Sequence, residues 1–272
     1  MMPDFLELAL GHYTTALATL PTPDLKLDTF LMADRSQWAS LTRQVMGDQA
    51  TSYLRIQRGG FASGGRALLF TIGHRDTLAI AAHEGWHQYT QRTFRQELPL
   101  WLEEGVAAYM EGFVANPEHP ELPIFKGWAN PERFEQLVAA AKSGRLMPMT
   151  RLLELGTSEL LNADTDDALT YYAQVWALVH FLKEGRNGTR AEALSNALRD
   201  AAAGRLRETI DQKLGSGASQ LLIRERRGAE TFAAYFDPDL AAAARDYDDF
   251  VTAIVTRGSK DRIVAGLSPL AP

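Results

Sequence analysis

His83-Glu84-Gly85-Trp86-His87 lies in a stretch of helical pattern that Asp76 or Thr77 can cap. Two His four positions apart sit one turn apart on one face of a helix, so both rings can reach one metal ion. A Glu directly after the first His points into the same cleft, where it can take a proton from water activated by that metal. His83 and His87 therefore read as metal ligands and Glu84 as a general base.

The segments around this helix set its place in the fold. Upstream, residues 4–19 read as an amphipathic helix that ends before Pro21 and Pro23. Leu25, Leu27, Thr29 and Leu31 alternate with Lys26 and Asp28 and suggest a strand, and residues 53–57 alternate again. Trp38, Leu41 and Val45 fall at helical spacing, and Gly47 can close that helix. Gly59-Gly60 and Gly64-Gly65 bracket a turn, and residues 67–72 form an apolar strand. Downstream, residues 99–111 look helical with Pro99 in the first turn. Pro117, Pro120, Pro123 and Pro131 make 115–132 a loop.

The remainder is rich in Ala and Leu. It predicts helices near 132–142, 150–155, 167–184, 191–203, 206–214, 217–234 and 239–256, with a frayed last dozen residues. The expected class is α+β: a small N-terminal mixed sheet with the His83 helix at the junction, then a mainly helical part. The expected division is 1–112 for the αβ core carrying the site and 113–272 for a helical subdomain packed on it.

A catalytic zinc site takes a third protein ligand and leaves one position for water. The chain continues as Leu98-Pro99-Leu100-Trp101-Leu102-Glu103-Glu104-Gly105-Val106-Ala107-Ala108-Tyr109, with 16 residues between His87 and Glu104. That is enough to finish one helix, turn at Pro99 and run a second helix back alongside. A carboxylate early on the second helix can then face the two His, and Ala107 and Ala108 allow close approach.

At these residues the chain resembles a known family. His83-Glu84-x-x-His87 followed by Trp101-Leu102-Glu103-Glu104-Gly105-Val106-Ala107 is similar to the gluzincin zinc metallopeptidases, more narrowly the peptidase-MA-like group. The resemblance implies a zincin-like fold, Zn2+ as cofactor, Glu104 as third ligand and peptide-bond hydrolysis by metal-activated water. Glu103, the rival carboxylate, then reads as a solvated surface charge. Glu111 lies seven residues past Glu104, on nearly the same face, and reads either as an acceptor of a hydrogen bond from a ligand His or as an exposed charge at the helix end. A Tyr-Ala-Gln segment similar to the family's makes Tyr172 the first candidate to stabilise the oxyanion and Tyr171 the second. The competing reading for Tyr172 is core packing, since it shares a helical face with Val175, Trp176 and Val179.

In zincins the substrate pairs with an edge strand beside the site; here the strand 67–72 would serve if it is an edge. No Gly-x-Met-Glu-Asn element is present, which points towards an endopeptidase or a peptidase of narrow specificity. Trp86, Trp101 and His180 read as packing residues, and His12, His74 and His119 as structural or surface residues.

Composition narrows the rest. The chain has 272 residues, a formal charge of -6 and no Cys, which excludes disulfides, thiolate ligands and Cys nucleophiles. It has no basic-aromatic stripe for nucleic acid and no apolar run of the roughly 20 residues a membrane span needs. It also lacks a Gly-x-Ser-x-Gly elbow and a Gly-x-x-x-x-Gly-Lys loop. The expected partner is a peptide or protein substrate. The start lacks a basic leader region, so the expected compartment is the cytoplasm, or the exterior if a leader has been removed. A zincin-fold binding or scaffolding protein with a structural or vestigial metal site is the alternative reading.

Overall fold

A computed structural model describes residues 2–119, 122–256 and 259–270. Its first helix, α1 (Met2–Tyr13), is shorter than the sequence pattern suggests. The hydroxyls of Thr14 and Thr15 bond back to the carbonyl of Gly11, and the chain then folds over so that the Leu20 amide reaches Thr14. Strand β1 (Asp28–Met32) leads into α2 (Arg35–Met46). The Asp34 carboxylate caps α2 by accepting from the amides of Ser36 and Gln37, and Gly47 ends it at φ 53°.

The alternation at 53–57 does not make a strand. Tyr53 closes a one-turn helix, α3 (Ala50–Tyr53), and the Arg35 guanidinium takes the carbonyls of Leu54 and Ile56 instead. The strands are β2 (Gly60–Ser63) and β3 (Arg66–Phe70), joined at Gly64-Gly65. Both glycines have positive φ, 57° and 73°, as a tight two-residue hairpin requires.

The sheet order is β1-β3-β2, with β1 parallel and β2 antiparallel to β3, so the sheet is mixed. β3 is therefore central and buried on both faces. Leu68 joins Trp38 and Phe61 on one side, and Leu69 joins Phe5, Leu78 and Ala82 on the other. The expectation that 67–72 could be a substrate-pairing edge is corrected: the edge beside the next helix is β2.

That helix is α4 (His74–Thr93). It starts at Gly73, ahead of Asp76 and Thr77. The Thr77 hydroxyl instead accepts from the Ile72 amide (3.0 Å) and seals the turn from strand to helix. α5 (Leu100–Met110) follows, with Pro99 as its N-cap rather than within its first turn. The proline-rich segment is not wholly irregular, because β4 (Phe113–Val114) and β5 (Ile124–Phe125) pair antiparallel across it. Pro120 lies outside the described residues.

The rest is helical as expected in α6 (Pro131–Lys142), α7 (Met149–Glu154), α9 (Thr165–Gly188), α10 (Ala191–Ala203) and α11 (Leu206–Leu214), with one further short helix, α8 (Thr157–Asn162), that the sequence pattern did not predict. The anticipated helix 217–234 is two, α12 (Gln220–Glu225) and α13 (Ala229–Tyr235). Arg226 turns left-handed between them, and a Cβ at Gly228 would lie 2.3 Å from Pro99 Cβ. α14 (Leu240–Ile254) and α15 (Ser259–Val264) complete the chain. Residues 259–264 are anchored by the fully buried Ile263 instead of fraying.

The main core runs from Ala9 and Tyr13 through α5 and α9 to Ile263. α5 and α9 approach closely enough that a Cβ at Gly105 would lie 2.6 Å from the Val175 carbonyl oxygen. Trp86 and Trp101 are fully buried, in keeping with packing roles. Gly85 has a similar constraint. The Tyr13 hydroxyl donates to the Ala82 carbonyl (2.7 Å), and a Cβ at Gly85 would come within 2.5 Å of that hydroxyl. Gly85→Ala is expected to displace Tyr13 and destabilise the fold by about 1–3 kcal/mol. Urea unfolding checks it, and wild-type stability in the variant would refute the packing argument.

Candidate metal centre

His83 and His87 project from α4 towards the first turn of α5. Their Nε2 atoms are 3.1 Å apart, and Glu104 Oε2 lies 3.4 Å from each. Among the described residues this is the one group of three His, Cys, Asp or Glu side chains whose ligand atoms all lie within 4.8 Å of one another. The Pro99 turn thus does what the spacing requires: it brings a carboxylate on one helix to two imidazoles on another.

The outer ring nitrogens are also engaged. His83 Nδ1–H donates to Glu111 Oε1 (2.7 Å) and His87 Nδ1–H to Glu103 Oε1 (2.9 Å). These bonds place a proton on each Nδ1 and leave each Nε2 with a lone pair. Two such lone pairs and the Glu104 carboxylate then converge, and Glu104 Oε2 is buried with no hydrogen-bond partner. Electron-pair donors facing one another in a buried site repel unless a cation lies among them. The donor set of two neutral imidazoles and one carboxylate can coordinate a divalent ion, and its chemistry suits zinc.

Protons compete for the same lone pairs. Burial opposes a charge on His83, but the Glu104 and Glu111 carboxylates outweigh it and push the ring up to about 9. His87 is raised as well: burial works against it, and Glu104 and Glu103 prevail. Glu104 is held well below the usual carboxylate range, because the two His overcome the effect of burial. A metal must therefore displace protons. Apparent affinity is expected to rise with pH, about tenfold per unit for each proton displaced, with the contribution of His83 ending above about 9. Calorimetry in buffers of different ionisation enthalpy reads the protons released, and zero release at pH 7 would contradict this arrangement.

Glu84 follows His83 and shares the site's electrostatics with His83, His87 and Glu104. Burial raises its carboxyl. The two His pull it back, Glu104 adds to the rise, and the Ala62 amide on β2 lowers it slightly. A half-buried carboxyl raised in this way is suited to taking and returning a proton.

The two tyrosines of α9 are separated by their environment. Tyr171 is fully buried and its hydroxyl has no partner. Tyr172 is partly exposed, its ring edge-on to His83 (centroids 6.2 Å) and covered by the Arg133 guanidinium at 5.1 Å. Burial and then Glu104 raise both phenols, so both stay protonated. The neighbouring Gln174 is structural, for its side-chain amide clamps the backbone of Met147 at both N and O.

Three features escaped the sequence reading. Glu103 is not a solvated charge. It is buried, accepts from His87 and from the Thr90 hydroxyl (2.8 Å), and lies 4.0 Å from Arg226. The signal was present: apart from Glu103 and Glu104, α5 is apolar all round, so it has no solvated face to offer. Arg133 was also missed. It pairs with Glu111 through Nε (3.1 Å) and a terminal nitrogen (2.7 Å). Asn130 adds a third donor to Glu111 (2.7 Å) while its carbonyl oxygen caps α6. Arg133 lies 22 residues past Glu111, on a helix whose packing angle no sequence pattern gives. Burial would raise Glu111, but Arg133 and His83 bring it down to about 2.

The other His behave as packing residues or lie at the surface. His180 is fully buried, stacked on Trp128 at 3.6 Å, and His74 and His119 are exposed. No helix among the described residues is long and apolar enough to cross a membrane. No curated protein and no solved structure matches the chain. A family model described as "Protein of unknown function (DUF1570)" matches residues 77–205, slightly under half of the chain. The matched stretch contains His83, Glu84, His87, Glu103, Glu104, Glu111, Arg133 and Tyr172, and stops before Arg226.

Proposed function

We propose that this protein is a zinc-dependent metallopeptidase of the gluzincin type, with His83, His87 and Glu104 holding the metal. The observation that carries the reading is the convergence of three potential donor atoms, Nε2 of His83, Nε2 of His87 and Oε2 of Glu104, with each imidazole backed by its own buried carboxylate. A bound zinc supplies a Lewis acid for the scissile carbonyl and lowers the pKa of water towards roughly 7. Glu84 takes the proton from the attacking water and returns it to the leaving amine. The Tyr172 hydroxyl donates to the oxygen that gains negative charge. Glu103 and Glu111 fix the orientation and tautomer of the two rings.

The outer edge of β2 is the backbone edge nearest Glu84, and an extended peptide pairing there would exchange with the α4 side chains of Glu84 and Gln91 that now meet Ala62. Residues 1–112 and 113–272 act as one catalytic unit in this reading. The support is that Glu111 on one side of the division is held by Arg133 and Asn130 on the other, and that one core crosses it.

The test is metal analysis combined with a library of unstructured peptides. About one zinc per chain is expected, with cleavage lost on chelation and restored by zinc. Protein that retains no metal after purification, or that holds zinc and cleaves nothing, overturns the proposal.

A further inference from the structure

A cavity of about 410 Å³ shares no lining residue with the metal centre. The two meet different faces of α5, because Tyr109 sits roughly 140° around that helix from Glu104. The volume falls in the range of small-molecule sites. Its walls are flat: the His12 ring lies nearly parallel to Tyr109 (4°, 6.2 Å) and to Phe125 (19°, 5.0 Å), and Trp128 closes another side.

The charge in this lining is unbalanced. Lys183 Nζ donates to the Tyr109 hydroxyl and lies 4.9 Å from the Tyr109 ring centroid. Neither Lys183 nor Lys126 has a carboxylate at ion-pair distance among the described residues. The one acid in the lining, Glu184, already accepts from Trp128 Nε1 (2.7 Å) and lies 3.9 Å from His180 Nδ1. Two ammonium groups thus share the cavity with a single occupied carboxylate. Burial and the nearby Lys183 ammonium also hold His12 down to about 4, consistent with a positive potential there. The Tyr109 oxygen accepts from Lys183, which leaves its own proton free for an acceptor.

We infer that this cavity binds a small monoanionic carboxylate with a flat apolar body. The carboxylate is held between Lys126 and Lys183 and the body packs on Tyr109, Phe125 and Trp128. A dianion such as phosphate fits less well, since the lining has no Arg fork and Glu184 repels a second charge.

The probe is benzoate, titrated into the intact metal-loaded protein at low salt. Heat of binding and the indole N–H resonance of Trp128 serve as readouts. Saturable binding with Kd near 1 mM or tighter is expected, with the Trp128 resonance moving in step. Lys126→Gln and Lys183→Met are each expected to weaken it about tenfold, and benzyl alcohol, which lacks the charge, to bind at least as weakly as either variant. Benzoate held at the metal centre instead would be insensitive to both Lys substitutions and would leave Trp128 unmoved, which overturns the inference. So would tighter binding of inorganic phosphate than of benzoate. Lys126→Gln alters a side chain that makes no hydrogen bond among the described residues, so it keeps the test decisive if Lys183→Met does not fold.

Discussion

Glu84→Gln is expected to lower peptide turnover by about 10²- to 10⁴-fold while the zinc content stays at the wild-type level. The substitution preserves size and shape and removes only the capacity to accept a proton. Glu84 is absent from the trio of converging donor atoms, so the metal should not depend on it. Its carboxyl is raised by burial, is drawn down by the charge of the two imidazoles and accepts from the Ala62 amide. A Gln amide can keep a polar contact there but cannot relay the proton from water to the leaving amine. The measurement is kcat on one cleavable peptide, with metal analysis of the same sample. Turnover within about threefold of wild type would exclude Glu84 as the base. Loss of zinc in the variant would instead make it part of the metal site.

The two His of the centre were legible in the sequence from helical geometry, whereas the choice of Glu104 over Glu103 came with the family resemblance. The interval of four between His83 and His87, and the turn at Pro99, are local facts that fix where side chains point. Glu111 was legible only in part: its place two turns beyond Glu104 allowed both a bond to a ligand His and an exposed charge at the helix end. The helical second part also follows from local pattern.

What escaped depends on tertiary packing. β3 became central, and β2 the edge, through a parallel pairing with β1 that spans nearly forty residues. The short strand pair β4–β5 escaped because four prolines in 115–132 read as loop, although two residues on each side suffice to pair. The 53–57 alternation was overruled by one side chain, Arg35, which gave those carbonyls a partner outside any sheet. Arg133 and Arg226 reach the site from segments whose placement is set only when the helical layer docks.

Arg133→Met is expected to destabilise the fold by about 3–5 kcal/mol, because it strands a buried carboxylate. Glu111 is almost fully buried and accepts from Arg133, Asn130 and His83 at once. Removing Arg133 leaves the charge with one amide and one imidazole, and thermal unfolding should drop by about 6–20 °C. Adding Glu111→Leu to Arg133→Met should recover much of that loss, since an apolar pair replaces a buried ion pair at little cost. The double variant has nothing to orient His83, however, so its zinc affinity should fall about 10- to 100-fold below wild type. Stability and metal affinity are thus expected to part company: the single variant is the less stable, the double variant the poorer zinc binder. Thermal melts of the metal-free proteins and competitive zinc titration measure the two quantities separately. If the double variant is no more stable than Arg133→Met, or binds zinc as tightly as wild type, then Arg133 and Glu111 do not divide the work in this way. Glu111 would then be held in place for packing alone.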